Sequence, residues 1–192
     1  MSQRKAKTMD TKNYGKAILG ELEKVMEQVS PDACTALCRV IKNAARIFVA
    51  GAGRSGLVAK AFAMRLMHLG CAAYVCGEMV TPSFQKGDLL LIVSGSGETA
   101  SLAAMAGKAR AVGGSLALVT VRAESSIGAM AEVIVPVPAP TPKADNAFRS
   151  IQPMGALFEQ SCFLLLDVVV MELMEYLGQD EASMYARHAN LE

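Results

Sequence analysis

The sequence predicts an α/β fold, a three-layer sandwich in which a five-stranded parallel sheet carries helices on both faces. From residue 46 onward, short β-branched or apolar runs alternate with longer helical patterns, which is how a parallel sheet wrapped by helices is written. Two loops rich in glycine and serine each follow a strand and open a helix. A chain of 192 residues, 52% of them hydrophobic, suits one ordinary domain with a substantial core.

The elements follow in order. Apolar residues recur at helical spacing from Tyr14 to Ala45, and Ser30-Pro31 sets an N-cap residue before a first-turn proline, which predicts two helices joined there. These form an N-terminal helical segment, residues 1–45, packed on a domain of residues 46–192, with one structural domain overall. Strands are predicted at Arg46 to Ala50, Ala73 to Val75, Leu89 to Val93, Leu116 to Thr120 and Val133 to Val135. Helices fill Ser55 to Leu69 and Thr99 to Val112. Pro136 to Pro142 breaks the pattern, because each proline fixes φ and removes a donor, and a loop continues from it to Ser150. After Pro153 a long helix runs to about Leu177 and stops at Gly178; a short final helix holds Tyr185 to His188.

Charge and composition exclude several functions. The net charge of +1, from 19 basic and 18 acidic residues, leaves no electrostatic footprint for a nucleic-acid backbone, so an anionic ligand must be held locally. The five cysteines are odd in number and never form the close pairs of a zinc or redox motif, which fits a reducing cytoplasm. The polar N-terminus MSQRKAKTMDTK lacks the apolar stretch of a signal peptide. Asp167, Glu172 and Glu175 interrupt the longest apolar run, Cys162 to Leu177, so it reads as a buried helix and not a membrane span.

Gly51-Ala52-Gly53-Arg54-Ser55-Gly56 follows a strand and opens a helix, so backbone amides and the helix N-terminus can converge on a phosphate or hydroxyl. The same residues satisfy a dinucleotide fingerprint, with Glu78 at roughly the ~20-residue distance of a ribose-binding acid. The remaining alternative is a tight βα turn that needs glycine only for its backbone geometry. Ser94-Gly95-Ser96-Gly97-Glu98-Thr99 repeats the arrangement after the third predicted strand, where ligands of open α/β sheets bind. Its three hydroxyls and helix-start amides suit a phosphomonoester, and the lack of lysine separates it from a nucleotide-triphosphate loop. Simple helix capping by Ser96 or Thr99 does not demand this density of glycine and serine.

Glu159 falls on one helical face with Phe163, Leu166 and Val170. Desolvation there would raise its pKa and make it a better proton acceptor. The alternatives are a surface glutamate on an imperfect stripe, or a buried one paired with an arginine such as Arg149. Asp167, further from the helix start, is expected to be structural and hydrogen-bonded. The two histidines, His68 and His188, make a metal site improbable, while His68 is a candidate proton shuttle.

On these residues the chain resembles the SIS (sugar isomerase) domain family, of flavodoxin-like fold, and within it the 6-phospho-3-hexuloisomerases. The resemblance is carried by Gly51 to Gly56, Ala63-Met64-Arg65-Leu66-Met67-His68, Ser94 to Thr99, Gln152-Pro153-Met154-Gly155, Phe158-Glu159-Gln160 and His188-Ala189-Asn190-Leu191-Glu192. It implies interconversion of D-arabino-hex-3-ulose 6-phosphate and D-fructose 6-phosphate, a step of formaldehyde fixation in the ribulose monophosphate pathway, without a cofactor or metal. It also implies that Glu159 is the base, His68 a residue of the site, and Gly53, Arg54, Ser55 and the segment Ser94, Gly95, Ser96, Gly97, Glu98, Thr99 sugar-phosphate binders. A cytoplasmic homotetramer is implied, with His188 reaching a neighbour's pocket. A sugar-phosphate sensor and, less well matched, a nicotinamide-dependent oxidoreductase are the rival functions.

Overall fold

A computed structural model describes residues 10–140 and 149–191. Its strands are β1 Ile47–Gly51, β2 Ala73–Val75, β3 Leu89–Val93, β4 Ser115–Thr120 and β5 Val133–Pro136. Its helices are α1 Thr11–Met26, α2 Pro31–Asn43, α3 Gly53–His68, α4 Ala100–Val112, α5 Ala156–Leu177 and α6 Glu181–Tyr185. The five strands pair in parallel in the order β2-β1-β3-β4-β5. This is the predicted α/β sandwich.

Local chemistry accounts for most element boundaries. The Ser30 hydroxyl accepts from Ala33 N at 3.4 Å and Pro31 takes the first helical position, which starts α2. Gly178, at φ +62°, adopts the left-handed conformation that ends α5. The final helix differs from expectation. It is Glu181–Tyr185, because Asp180 and Ser183 form a reciprocal cap that starts it earlier, and it has ended by Ala186. Most of the loop predicted from Pro136 to Ser150 lies outside the described residues.

Alternation along the strands divides the core. Ile47, Val49, Leu89, Leu91, Val93, Ala117 and Val119 point to one face, where α2, α3 and α5 cover them. Phe48, Ala50, Leu90, Ile92, Leu116 and Leu118 point to the other face, covered by Leu102, Ala106 and Ala109 of α4 with Phe84 and Tyr74 at its margin. Both faces of β3 are therefore buried, which is why its sequence, LLLIV, is a continuous apolar run without alternation.

The chain passes from β1 outward to β2 and then returns to the opposite side of β1 for β3, so the strand order reverses between β1 and β3. Gly51, the last residue of β1, lies in register with Val93, the last of β3. Loops leaving two adjacent strands in opposite directions open a crevice at their carboxyl ends, the usual ligand site of such sheets. Both glycine-rich loops begin there.

Among the described residues no helix is long and apolar enough to cross a membrane.

Candidate active site

The first loop leaves β1 with almost no room. A Cβ on Gly51 would lie 2.8 Å from Gly56 N, and one on Gly56 would lie 2.7 Å from Gly51 O. Strand end and helix start thus meet backbone to backbone, and these two glycines are required by packing alone. The turn directs Arg54 and Ser55 into a cavity of about 480 Å³.

The second loop is organised by its own hydroxyls. Ser94 Oγ accepts from Gly97 N at 3.2 Å and Ser96 Oγ from Glu98 N at 3.2 Å. Thr99 precedes α4 without a side-chain cap, so its hydroxyl and the first helical amides stay free to meet an anion. Ser94, Gly95, Ser96 and Thr99 line the same cavity as Arg54 and Ser55. Glu98 turns outward instead, taking the Ser126 hydroxyl at 2.6 Å and the Ser126 amide at 2.8 Å; those bonds hold its carboxyl below its ordinary value. Gly53 and Gly97 shape the backbone and do not line the cavity.

The third side comes from the start of α5. Pro153, Met154, Gly155, Phe158 and Glu159 all line the cavity. Glu159 is about 17% exposed and forms an ion pair with Arg54, whose side chain is 62% exposed. The setting therefore differs from the purely apolar one read from helical spacing. Phe163 is 46% exposed, and the partner is Arg54 of the first loop, not Arg149. Burial, with the Glu159 charge nearby, pushes the Cys162 thiol well above its ordinary value, so Cys162 stays protonated behind the carboxylate.

The histidines are not brought to this cavity. His68 ends α3, 14 residues beyond Arg54, so helical rise alone separates it by roughly 20 Å from the loop that opens the helix. It is 3% exposed and stacks on His188 with ring centroids 5.4 Å apart, in a corner secured by Arg187 Nη1 donating to His68 O at 3.1 Å. Burial, then the charges of Arg65 and His188, lowers its pKa. Asp167 is exposed and, among the described residues, makes no hydrogen bond or ion pair, contrary to the structural role expected of it. Glu78 pairs with Lys60 at 2.5 Å outside the cavity, so the acid expected of a dinucleotide site is not beside the first loop's binding surface.

Sequence reasoning did not place Pro153, Met154, Gly155, Phe158 or Leu102 in the site. All but Leu102 stood in recognisable motifs, but nothing local showed which way that segment crosses the sheet.

Two Gly/Ser loops at a topological switch point share one cavity with a carboxylate, in a parallel α/β sandwich. Residues 40–163 match the SIS domain. The chain is 46% identical to a 3-hexulose-6-phosphate isomerase of Bacillus subtilis over 96% of its own length and 100% of that protein, and 37% identical to one of Mycobacterium gastri over 95% and 92%. A crystal structure from Methanococcus jannaschii, described as inferring a molecular function of 3-hexulose-6-phosphate isomerase, superposes with a TM-score of 0.81 at 32% identity, covering 94% of this chain and 99% of that one. The chain belongs to the SIS domain family. It is an enzyme of the isomerase class, as these relatives are.

Proposed function

We propose that the protein interconverts D-arabino-hex-3-ulose 6-phosphate and D-fructose 6-phosphate through an enediolate, with Glu159 as the base. One observation carries the reading: Glu159 opens into the cavity lined by Ser94, Gly95, Ser96 and Thr99. The phosphate of the open-chain ketose sits in that cradle beside Ser55. Glu159 takes the proton from C2 of the hexulose, next to the C3 carbonyl, and an enediolate spans C2 and C3. Returning the proton to C3, while the hydroxyl proton passes from O2 to O3, leaves the carbonyl at C2. Nothing is oxidised or reduced overall, so the reaction needs no cofactor.

Arg54 supports this chemistry on electrostatic grounds. As Glu159 becomes neutral the negative charge moves to the substrate oxygens in the same cavity, and the guanidinium beside them pairs first with one anion and then with the other. His68 and His188 serve this chemistry only from another copy of the chain. The exposed apolar side chains Leu57 and Met64 of α3 and Phe163, Leu164, Val168 and Met171 of α5 favour association into the expected homotetramer. The place of the reaction is formaldehyde fixation by the ribulose monophosphate route, in the cytoplasm.

The test is an NMR assay for fructose 6-phosphate formed from the hexulose phosphate, run beside Glu159→Gln. The variant should lose turnover by at least about 1,000-fold while binding fructose 6-phosphate. Near-normal turnover removes Glu159 as base. Fructose 6-phosphate binding by the wild type without exchange of its C–H protons for solvent deuterium makes the protein a sensor instead.

A further inference from the structure

Glu21 lies in the second half of α1, and its carboxylate is filled by one short stretch of distant chain. It accepts from Ser150 Oγ at 2.7 Å, Ile151 N at 2.8 Å and Gln152 Nε2 at 3.1 Å. Ser150 Oγ in turn accepts from Gln152 N at 3.0 Å, so the stretch is also folded on itself. Among the described residues, every hydrogen bond that ties 149–152 to another element ends on Glu21. Burial works against the charge there, yet these bonds and Lys24 outweigh it and hold the carboxyl below its ordinary value.

The clamped stretch leads directly into the cavity wall. Pro153, Met154 and Gly155 follow, and all three line the cavity of the Ser94 to Thr99 cradle. Met154 is 83% exposed and has φ +56°, a left-handed conformation that costs energy for a residue with a side chain. An exposed, strained segment outside helix and sheet keeps one shape only where its surroundings over-determine it. Here those surroundings are the start of α5 on one side and Glu21 on the other.

We propose that Glu21 is a positioning residue of the site: it clamps residues 150–152 so that Pro153, Met154 and Gly155 form a standing wall of the sugar-phosphate cavity. The inference rests on the sugar-phosphate reading above. It makes α1 a working part of the site although no residue of α1 lines that cavity. Glu159 does not depend on the clamp, because Leu157, Phe158, Cys162 and Leu165 seat its helix in the core. Loss of the clamp therefore weakens substrate binding and leaves the chemical step in place.

Steady-state kinetics with fructose 6-phosphate on Glu21→Ala should show KM raised roughly tenfold or more with kcat changed by less than about threefold. Glu21→Gln keeps one oxygen, which can serve Ser150 Oγ and Gln152 Nε2, but turns an amide nitrogen toward Ile151 N, so its KM should fall between those of wild type and Glu21→Ala. Hydrogen exchange of peptides covering 149–155 should accelerate about tenfold or more in Glu21→Ala, while peptides of β3 stay protected. An unchanged KM, a loss confined to kcat, or unaltered exchange in 149–155 overturns the proposal. Should Glu21→Ala fail to fold, Gln152→Ala removes one of the three bonds without touching α1 or the Gln152 N bond to Ser150 Oγ; a rise in KM of about threefold supports the clamp and no rise overturns it. If the wild type turns over neither sugar phosphate, the isomerase reading fails by itself. The exchange experiment, with fructose 6-phosphate affinity measured by calorimetry, then still decides the clamp.

Discussion

Gly97 offers the sharpest test of the anion cradle. Its φ is +64°, and a Cβ added there would lie 2.1 Å from Ser125 Oγ and 2.6 Å from Ser125 Cβ. Rotating the Ser125 hydroxyl away relieves the first contact but not the second, so the backbone must move. The left-handed conformation costs an L side chain roughly 1–2 kcal/mol, and overpacking adds roughly 1–3 kcal/mol. Gly97→Ala should therefore cost about 2–5 kcal/mol, against a total stability of about 5–15 kcal/mol for an ordinary domain. The fold survives and the loop gives way. Ile127 N donates to Gly97 O at 3.1 Å and Glu98 holds Ser126, so the displacement spreads along the cradle's outer edge. At about 2–4 °C per kcal/mol, the melting temperature should fall by roughly 4–20 °C. Calorimetry should show fructose 6-phosphate affinity reduced by at least about tenfold, since displaced amides no longer converge on the phosphate. Adding Ser125→Gly should recover the overpacking share less the bond that Ser125 Oγ accepts from Gly128 N at 3.1 Å, a loss read from Ser125→Gly alone. A Gly97→Ala protein that melts and binds like wild type would refute both the steric argument and the placement of the phosphate.

Two further outcomes can be read with simple assays. Phe158 is 2% exposed and joins the core to the cavity wall, so Phe158→Ala should lower stability by about 3–5 kcal/mol in urea unfolding; a loss below about 1 kcal/mol would show that the neighbouring helices close the gap. His68 should titrate below 6.5 by NMR, since burial and the charges of Arg65 and His188 oppose its protonation. Its unfolded form takes up the proton at higher pH than the folded form, so stability is lost as pH falls below about 6.5 through the folded value; His68→Gln should flatten that loss, and a midpoint above 6.5 would contradict the buried placement.

Much of the fold was legible because its causes are local. Strands β2 and β3 fall on the residues their apolar runs predicted, and α2 and α5 carry the cap residue and stop glycine that mark them in the sequence. The final helix was misplaced by four residues for a local reason that was available, the Asp180 and Ser183 cap. In the site, the two glycine-rich loops were readable as turns that open on one crevice, because glycine, hydroxyls and a following helix are contiguous features.

The sequence by itself determined which segments become strands and helices, that their alternation makes a parallel sheet, and which two loops stand at its carboxyl edge. These depend on residues within about one turn or one strand of each other. Only the tertiary structure decided that Arg54 and not Arg149 meets Glu159, that His68 turns away to stack on His188, and that Glu21 reaches Ser150, 129 residues along the chain. Such pairings depend on where α1, α3 and α5 cross over one face of the sheet, and side-chain packing of whole elements sets that crossing, which no periodicity within a segment encodes.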